Sequence, residues 1–251
     1  MNGIEMASAT DRGRVRPHNE DAVAAEPRLR LAVVADGMGG HAAGEVASRM
    51  AVELIVQGMD AALRHTNGLV ATQGAERLLA EHIARANLGV YETGLARPEC
   101  AGMGTTVVVA LWHEAGVSVG NVGDSRCYRL RAGRLEQLTE DHSLAAEHAS
   151  RGASLMSRAR YNAARHILTR AVGTLADVDA DIRTHETAPG DLYLLCSDGL
   201  TDMLPDERIR DTLSAPGAAL EDLAAELVRR ANEGGGVDNI SVVVARAGGA
   251  S

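Results

Sequence analysis

The amino-acid sequence predicts an α+β domain, in which strands and helices are grouped in separate blocks. Short apolar runs rich in valine follow one another with tight turns between them, at Glu114-Ala115-Gly116 and Ala132-Gly133. Such turns predict antiparallel hairpins. Segments with helical periodicity lie outside this cluster of strands and do not alternate with single strands, which argues against a repeated βαβ fold.

The elements are predicted in a simple order along the chain. Strands are predicted at 5–10, 30–36, 105–112, 117–122, 126–131, 135–139, 181–187, 191–197 and 239–246, and helices at 42–62, 75–95, 205–213 and 220–232. The buried face of the first helix is predicted to carry Val46, Met50, Leu54 and Ile55, and that of the second Leu78, Leu79, Ile83 and Leu88. Segment 143–167 is polar and poorly patterned, and we treat residues 1–251 as one domain with this segment as a subregion.

Composition excludes several classes of function. The formal net charge is −9 and no dense Lys/Arg tract occurs, which argues against nucleic-acid binding. No apolar run approaches the ~20 residues of a membrane-spanning helix, and the N-terminus lacks the layout of a signal peptide. The cysteines Cys100, Cys127 and Cys196 are widely spaced, without a zinc or redox pattern. A reduced cytoplasmic protein is therefore expected.

Aspartates recur at the boundaries of apolar runs. Asp36, Asp124 and Asp198 each follow such a run, and Asp238 precedes the last one. One Asp-Gly after a strand is usually only a turn. If these strand ends meet, however, several carboxylates share one place, and they stay ionised together only beside a cation. An all-oxygen carboxylate cluster suits Mg²⁺ or Mn²⁺.

A competing interpretation comes from residues 37–42, which follow a strand, open a helix and fit the dinucleotide-binding pattern G-x-G-x-x-G/A. Against it, Asp36 would turn a negative charge toward a pyrophosphate, and the next element is a second helix instead of a parallel strand. No P-loop pattern is present. His41 and His142 are interpreted as structural or surface residues, and Cys196 as a small core side chain.

Eight short motifs together resemble one family. They are 10–21 (TDRGRVRPHNED), 34–41 (VADGMGGH), 104–106 (GTT), 120–126 (GNVGDSR), 138–143 (LTEDHS), 168–173 (LTRAVG), 197–200 (SDGL) and 238–241 (DNIS). Their sequence and order are similar to those of the bacterial metal-dependent Ser/Thr protein phosphatases of type 2C, the PPM family. The resemblance implies a central antiparallel β-sandwich flanked by helices, in four layers α-β-β-α, with a dinuclear metal site at one end.

The resemblance also implies roles for individual residues. Asp36 would bridge two tightly bound Mg²⁺ or Mn²⁺ ions, the Gly37 carbonyl would bind the second, and Asp198 and Asp238 would complete the first. A further set has supporting roles: Glu20 and Asp21 would hold metal-bound waters, Arg16 would grip the substrate phosphate, and Asp124 with Asp198 would hold a weaker third metal. A hydroxide bridging two metals attacks phosphorus directly, so no protein nucleophile is required, and an Arg guanidinium matches two phosphate oxygens.

Two departures from the family pattern concern the chemistry. Met38 stands where many eukaryotic relatives carry a His proposed as general acid. Residues 145–166 match the mobile flap of the family poorly and contain a basic stretch with Arg158, Arg160 and Arg165. The resemblance to the family therefore says least about the choice of substrate.

The predicted function is hydrolysis of phosphoserine and phosphothreonine in proteins, reversing a bacterial Ser/Thr kinase. Phosphoproteins and that kinase are the expected partners, and a cytoplasmic monomer is the expected form. Two alternatives remain open: a catalytically inactive phosphoprotein-binding module on the same fold, and a phosphatase for small phosphate esters. The complete set Asp36, Asp198 and Asp238 argues against the inactive module. A free-standing phosphatase of this size also resembles those paired with a kinase that controls type VI secretion.

Overall fold

The computed structural model describes residues 3–39, 43–64, 70–150 and 164–248. Eleven strands lie in this part of the chain: β1 Ile4–Asp11, β2 Asp21–Glu26, β3 Leu31–Met38, β4 Gly104–Thr105, β5 Val107–His113, β6 Gly116–Val122, β7 Arg126–Arg131, β8 Arg134–Gln137, β9 Asp181–His185, β10 Leu192–Cys196 and β11 Ile240–Ala247. The α-helices described are α1 Ala43–Leu63, α2 Thr72–Ala96, α3 Leu144–Ser150, α4 Asp198–Thr201, α5 Asp206–Leu213 and α6 Leu220–Glu233, with a 3₁₀ turn at Pro98–Cys100.

The strands form two antiparallel sheets that pack face to face. One sheet has the order β1-β11-β10-β7-β8, and the other β2-β3-β5-β6-β9 with β4 paired to the end of β3. Between them lies a core in which the Trp112 and Tyr193 rings meet edge to face at 5.4 Å. All described strand pairs are antiparallel, whether the two strands are close or distant in sequence. The described part of the fold therefore contains no parallel βαβ unit.

Helices cover the outer face of each sheet. Successive strand residues alternate between clusters: Val33 packs with α1 and α2, whereas Val34 points between the sheets. On the other side, Leu194 packs with α5 and α6, whereas Leu195 points between the sheets. Both faces of the central strands are thus buried, which explains their continuous apolar runs. The predicted α+β class and the four-layer α-β-β-α sandwich are confirmed.

The prediction of the helix faces was partly wrong. Leu88 was expected inward but is 45% exposed, and the buried face of α2 is formed by residues including Leu79, Ile83 and Val90. In α1, Ile55 is buried, but Met50 and Leu54 are only half-buried because they face α2 at Gly89. The buried positions from the start of α1 to Ala51 are small residues, which allow close approach: Ala43, Gly44, Ala47, Ser48 and Ala51. Ile55 and Met59 are buried farther along the helix, whereas Met50 and Leu54 pack against α2.

Strand β2 and helices α3 and α4 were absent from the sequence-based prediction, as was the 3₁₀ turn at Pro98–Cys100. The predicted strand 105–112 is also interrupted at Thr106. Its N–H donates to the Asp36 carbonyl at 2.8 Å, and its Oγ1 accepts from the Asp36 N–H at 3.0 Å. This exchange holds the end of β3 in place. In the described segments, none of the helices combines the length and apolarity that crossing a membrane requires.

Candidate metal centre and active site

The predicted aspartates converge at one end of the sandwich. Asp36 ends the regular part of β3, Asp198 begins α4 directly after β10, and Asp238 precedes β11. Asp124 lies in the turn from β6 to β7. These four line one cavity of about 870 Å³, together with Arg16, Glu20, Gly37 and Met38. The expectation that distant strand ends bring these carboxylates together agrees with the geometry.

Asp21 lies directly behind this cavity. It opens β2 and is the antiparallel partner of Asp36 on β3. Its Oδ2 accepts a hydrogen bond from Ser197 Oγ at 2.8 Å, whereas its buried Oδ1 has no hydrogen-bond partner among the described residues. Burial raises the pKa of Asp21 to about 7, despite the hydrogen bond from Ser197. A buried carboxylate oxygen without a donor is a place for a water or an ion.

Two of the carboxylates in the cavity, those of Asp36 and Asp124, resist ionisation. Burial raises the pKa of Asp36 well above its ordinary range, and repulsion from Asp21 and Asp198 raises it further. Burial and repulsion from Asp198 likewise raise the pKa of Asp124 to about 7. A divalent cation would remove this penalty, so the residues present fit Mg²⁺ or Mn²⁺.

Glycine is required where β3 runs into the site. A Cβ on Gly37 would lie 2.1 Å from the Gly44 carbonyl and 2.5 Å from the Glu20 carbonyl. The Gly37 N–H donates to the same Glu20 carbonyl at 3.1 Å. The close approach of β3, α1 and the Glu20 loop therefore depends on the missing side chain at this position. Glu20 itself has a pKa raised by burial.

Arg16 lies in the same cavity, but its guanidinium is paired with a carboxylate. Its Nη2 is 2.6 Å from Asp238 Oδ2, and the second oxygen of Asp238 accepts the Asn239 N–H at 2.8 Å. Half of the Arg16 side chain remains exposed, at 51%. Arg16 is thus placed at the cavity mouth, where an incoming anion would meet it.

Asn239 is a site residue whose role was not predicted. Its Nδ2 donates to the carbonyls of Arg12 and His18, and its Oδ1 accepts the Glu20 N–H at 2.8 Å. The loop that carries Arg16 is therefore tied to the start of β11. The motif at 238–241 contains this Asn, but its partners lie more than two hundred positions away in sequence, which no local pattern reveals.

A second part of the cavity wall was also not predicted. It is formed by residues 165–171 and by Asp202, which follows α4. Arg165 Nη1 is 2.8 Å from Asp202 Oδ1, and His166 faces both Asp198 and Asp202. Burial and repulsion from Asp198 raise the pKa of Asp202. Asp202 follows Asp198 by one helical turn, so the spacing i, i+4 was a usable signal.

Several single-residue interpretations can be compared with the structure. His142 is buried and its Nδ1 accepts the Gly123 N–H at 3.1 Å, so it is a structural residue as predicted. Cys196 is fully buried in the core, as predicted. His41 and residues 151–163 of the predicted flap lie outside the described residues. The dinucleotide interpretation is wrong, because every described neighbour of β3 is antiparallel and α1 is followed by α2.

Comparisons with known proteins identify the family. Residues 12–240 match the family model described as Protein phosphatase 2C. The Serine/threonine phosphatase stp of Listeria welshimeri is 39% identical over 238 residues, which cover 94% of this chain and 92% of that protein.

Solved structures give the same answer. The catalytic domain of the serine/threonine protein phosphatase PstP, solved with two manganese ions, is similar with a TM-score of 0.82 at 35% identity, covering 97% of this chain and 98% of that one. PppA of Pseudomonas aeruginosa, described as a key regulatory component of T6SS, is similar with a TM-score of 0.80 at 34% identity, covering 97% of each chain. This chain belongs to the protein phosphatase 2C family.

Proposed function

We propose that this serine/threonine protein phosphatase reverses the action of a cognate Ser/Thr kinase, by hydrolysing phosphoserine and phosphothreonine in that kinase's substrates. The observation that supports this best is the convergence of Asp36, Asp124, Asp198 and Asp238 on one cavity, with Arg16 at its mouth. Residues 1–251 are proposed to act as one catalytic domain, with segment 143–167 as its flap.

The proposed metal ligands are oxygen donors of residues that line the cavity. Asp36, the Gly37 carbonyl, Asp198 and Asp238 would hold two Mg²⁺ or Mn²⁺ ions, and Asp124 with Asp198 a weaker third. When bound, the metals supply an acidified water and positive charge at phosphorus. Glu20 and Asp21 would accept hydrogen bonds from waters beside the metals, which agrees with the unpartnered Oδ1 of Asp21.

Arg16 is proposed to bind the substrate phosphate. Its planar guanidinium presents two parallel N–H donors to two phosphate oxygens. In the described state one of those donors is given to Asp238. Once the charge of Asp238 is shared with a cation, its attraction for Arg16 weakens, and the guanidinium becomes available to an incoming phosphate. Asn239 holds the loop of Arg16 in register for this exchange.

The buried thiols take no part in the proposed reaction. Burial raises the pKa of Cys196 to about 12, and burial also raises the pKa of Cys127 far above its ordinary value. Neither sulfur reaches the cavity, whose wall contains no cysteine among the described residues. Water is therefore the proposed nucleophile.

Several narrower proposals accompany this function. The partners are phosphoproteins and their kinase, and the enzyme is proposed to act as a cytoplasmic monomer without nucleic-acid or membrane partners. Its likeness to PppA, described as a regulatory component of T6SS, makes type VI secretion one setting in which to look for the kinase.

Turnover of a phosphothreonine peptide and of p-nitrophenyl phosphate, each with EDTA, Mg²⁺ or Mn²⁺, tests the proposal. The expected result is activity on the peptide that disappears in EDTA and returns with either metal. An inactive binding module would bind the phosphopeptide without turnover. A small-ester phosphatase would hydrolyse only p-nitrophenyl phosphate. Full peptide turnover in EDTA would contradict the metal assignment.

A further inference from the structure

The two carboxylate oxygens of Asp21, the acid behind the cavity, have different surroundings. Oδ2 accepts a hydrogen bond from Ser197 Oγ at 2.8 Å, whereas the buried Oδ1 has no hydrogen-bond partner among the described residues. Ser197 follows β10 directly and is fully buried. The Ser197 hydroxyl therefore holds one oxygen of Asp21 and leaves the other free.

The Ser197 hydroxyl is itself held in one orientation. Its oxygen accepts the Ser241 N–H at 3.0 Å, and the Ser197 N–H donates to the Ser241 carbonyl at 3.0 Å. A hydroxyl has a single proton to donate. Because the Ser241 N–H already points at the Ser197 oxygen, that proton is directed at Asp21. The contact thus depends on two neighbouring strands of one sheet, β10 and β11, and reaches an acid on the other sheet.

The backbone of Asp21 is held at the same place. Its N–H donates to Asn19 Oδ1 at 3.2 Å, and Asp21 is the register partner of Asp36 across β2 and β3. Burial raises the pKa of Asp21, and the hydroxyls of Ser241 and Ser197 oppose that rise. Protein groups therefore define the position of this carboxylate, and Oδ1 is the oxygen that they leave without a donor.

A free oxygen on a fixed carboxylate suits a metal-bound water. With Oδ2 held by Ser197, rotation of the Asp21 carboxylate about its Cβ–Cγ bond is restricted, so Oδ1 keeps one direction. Groups that orient the residues around a metal in this way are part of the metal site, and their loss weakens metal binding. Loss of the Ser197 hydroxyl would release this rotation.

We propose that Ser197 is a positioning residue of the metal centre, whose hydroxyl fixes Asp21 so that Oδ1 receives a metal-bound water. This inference rests on the proposed function, in which Asp21 accepts a hydrogen bond from such a water. Ser197 contacts neither substrate nor metal in this scheme and acts through Asp21 alone. The alternative is that the hydroxyl only ties the two sheets together. Its loss would then lower stability without changing metal binding.

Calorimetric titration of the metal-free whole chain with Mn²⁺ tests the proposal. Ser197→Ala should weaken the tight Mn²⁺ binding by about tenfold, the lower end of the loss that follows removal of an outer support. The matched control is Ser118→Ala. Ser118 is also fully buried, bonds to Thr184 at 2.8 Å and to His113 at 2.9 Å, and does not line the cavity. Both variants should melt below the wild type in EDTA, but Ser118→Ala should keep wild-type Mn²⁺ affinity.

The variant Asp21→Asn shows whether Ser197 acts through Asp21. In the Asp21→Asn background, Ser197→Ala should weaken Mn²⁺ binding by less than about twofold further, because residues that act as one unit are not additive. Fully additive losses of affinity in the double variant would overturn the proposed route through Asp21.

Ser197→Cys takes the place of Ser197→Ala if the alanine variant does not fold. Its thiol is similar in size to the hydroxyl but is a weak donor, so Mn²⁺ binding should weaken by at least about threefold. Wild-type Mn²⁺ affinity in the Ser197 variant that folds would overturn the positioning role. Failure of the proposed function would give a different result, since the wild type would then show neither tight Mn²⁺ binding nor peptide turnover.

Discussion

Two aspartates at opposite ends of the sandwich, Asp191 before β10 and Asp36 on β3, have opposite properties. Asp191, just before the strand, is bonded through both oxygens to Arg131 at 2.7 and 2.6 Å, and its Oδ2 also accepts the Ala188 N–H. Burial opposes its ionisation, but these bonds outweigh burial and lower its pKa. At the cavity end of the sandwich, burial raises the pKa of Asp36, and among the described residues no cationic side chain bonds to its carboxylate.

The difference separates a structural acid from a functional one. Burial acts in the same direction at both ends, so the presence of a counter-charge decides the outcome. At the Asp191 end the protein supplies that charge itself. At the Asp36 end the proposed cation would supply it, and metal binding would then be linked to folding stability. The following predictions test this contrast, beginning with the largest expected effect.

Asp36→Asn should lower kcat on a phosphopeptide by more than about 100-fold, because it removes the proposed bridging charge. Loss of a residue that only supports a metal ligand costs up to about 100-fold. The same variant should melt at a higher temperature than the wild type in EDTA, since it relieves repulsion among buried carboxylates. Steady-state kinetics and thermal melts measure both effects. Asp211→Asn, at an exposed position of α5, is the matched control. Near-wild-type kcat in Asp36→Asn would refute the bridging role.

Arg16→Ala should lower kcat/KM for phosphopeptides by about 10- to 100-fold, the range of one charge-assisted hydrogen bond. Metal binding should persist or tighten, because Asp238 loses its competing partner. Arg16→Lys should recover only part of the loss. The control is Arg14→Ala on the same loop. An unchanged kcat/KM in Arg16→Ala would make Arg12 or Arg14 the candidate for phosphate binding.

Asp191→Asn should cost about 1.5–3 kcal/mol of folding free energy at pH 7, since it breaks charged hydrogen bonds, and should leave kcat unchanged. The native pKa of Asp191 lies below the unfolded value of about 3.9, so its contribution is complete above that value. The destabilisation should shrink as pH falls through the lower native pKa. Denaturant unfolding of wild type and variant at several pH values measures this trend. A penalty that stays constant down to pH 2 would contradict the ion-pair explanation.

Much of the site could be predicted because each relevant aspartate is adjacent to its strand in sequence. An apolar run that is followed by Asp36 or Asp198 predicts both the strand and the position of the acid at its end. The order of the motifs then supplied the family and, with it, the four-layer sandwich. These predictions depended on local patterns, and the structure agrees with them.

What could not be predicted depends on contacts between distant residues. Strand β2 is alanine-rich and half-buried, so its sequence lacks a strand pattern, and its pairing of Asp21 with Asp36 is a matter of sheet register. The exposure of Leu88 reflects how α2 lies against α1, where small residues set the distance. The contact between Arg16 and Asp238 spans 222 positions and arises only once β11 is in place.

The burial of the cysteines has a practical consequence for assays of the enzyme. All three are buried and unpaired, and the two nearest the central sheets have thiols that stay protonated near neutral pH. Iodoacetamide and mild peroxide inactivate phosphatases that use a thiolate nucleophile. They should therefore leave the activity of this enzyme unchanged. With such reagents, its activity could be measured in a crude extract after the thiol-dependent phosphatases have been inactivated.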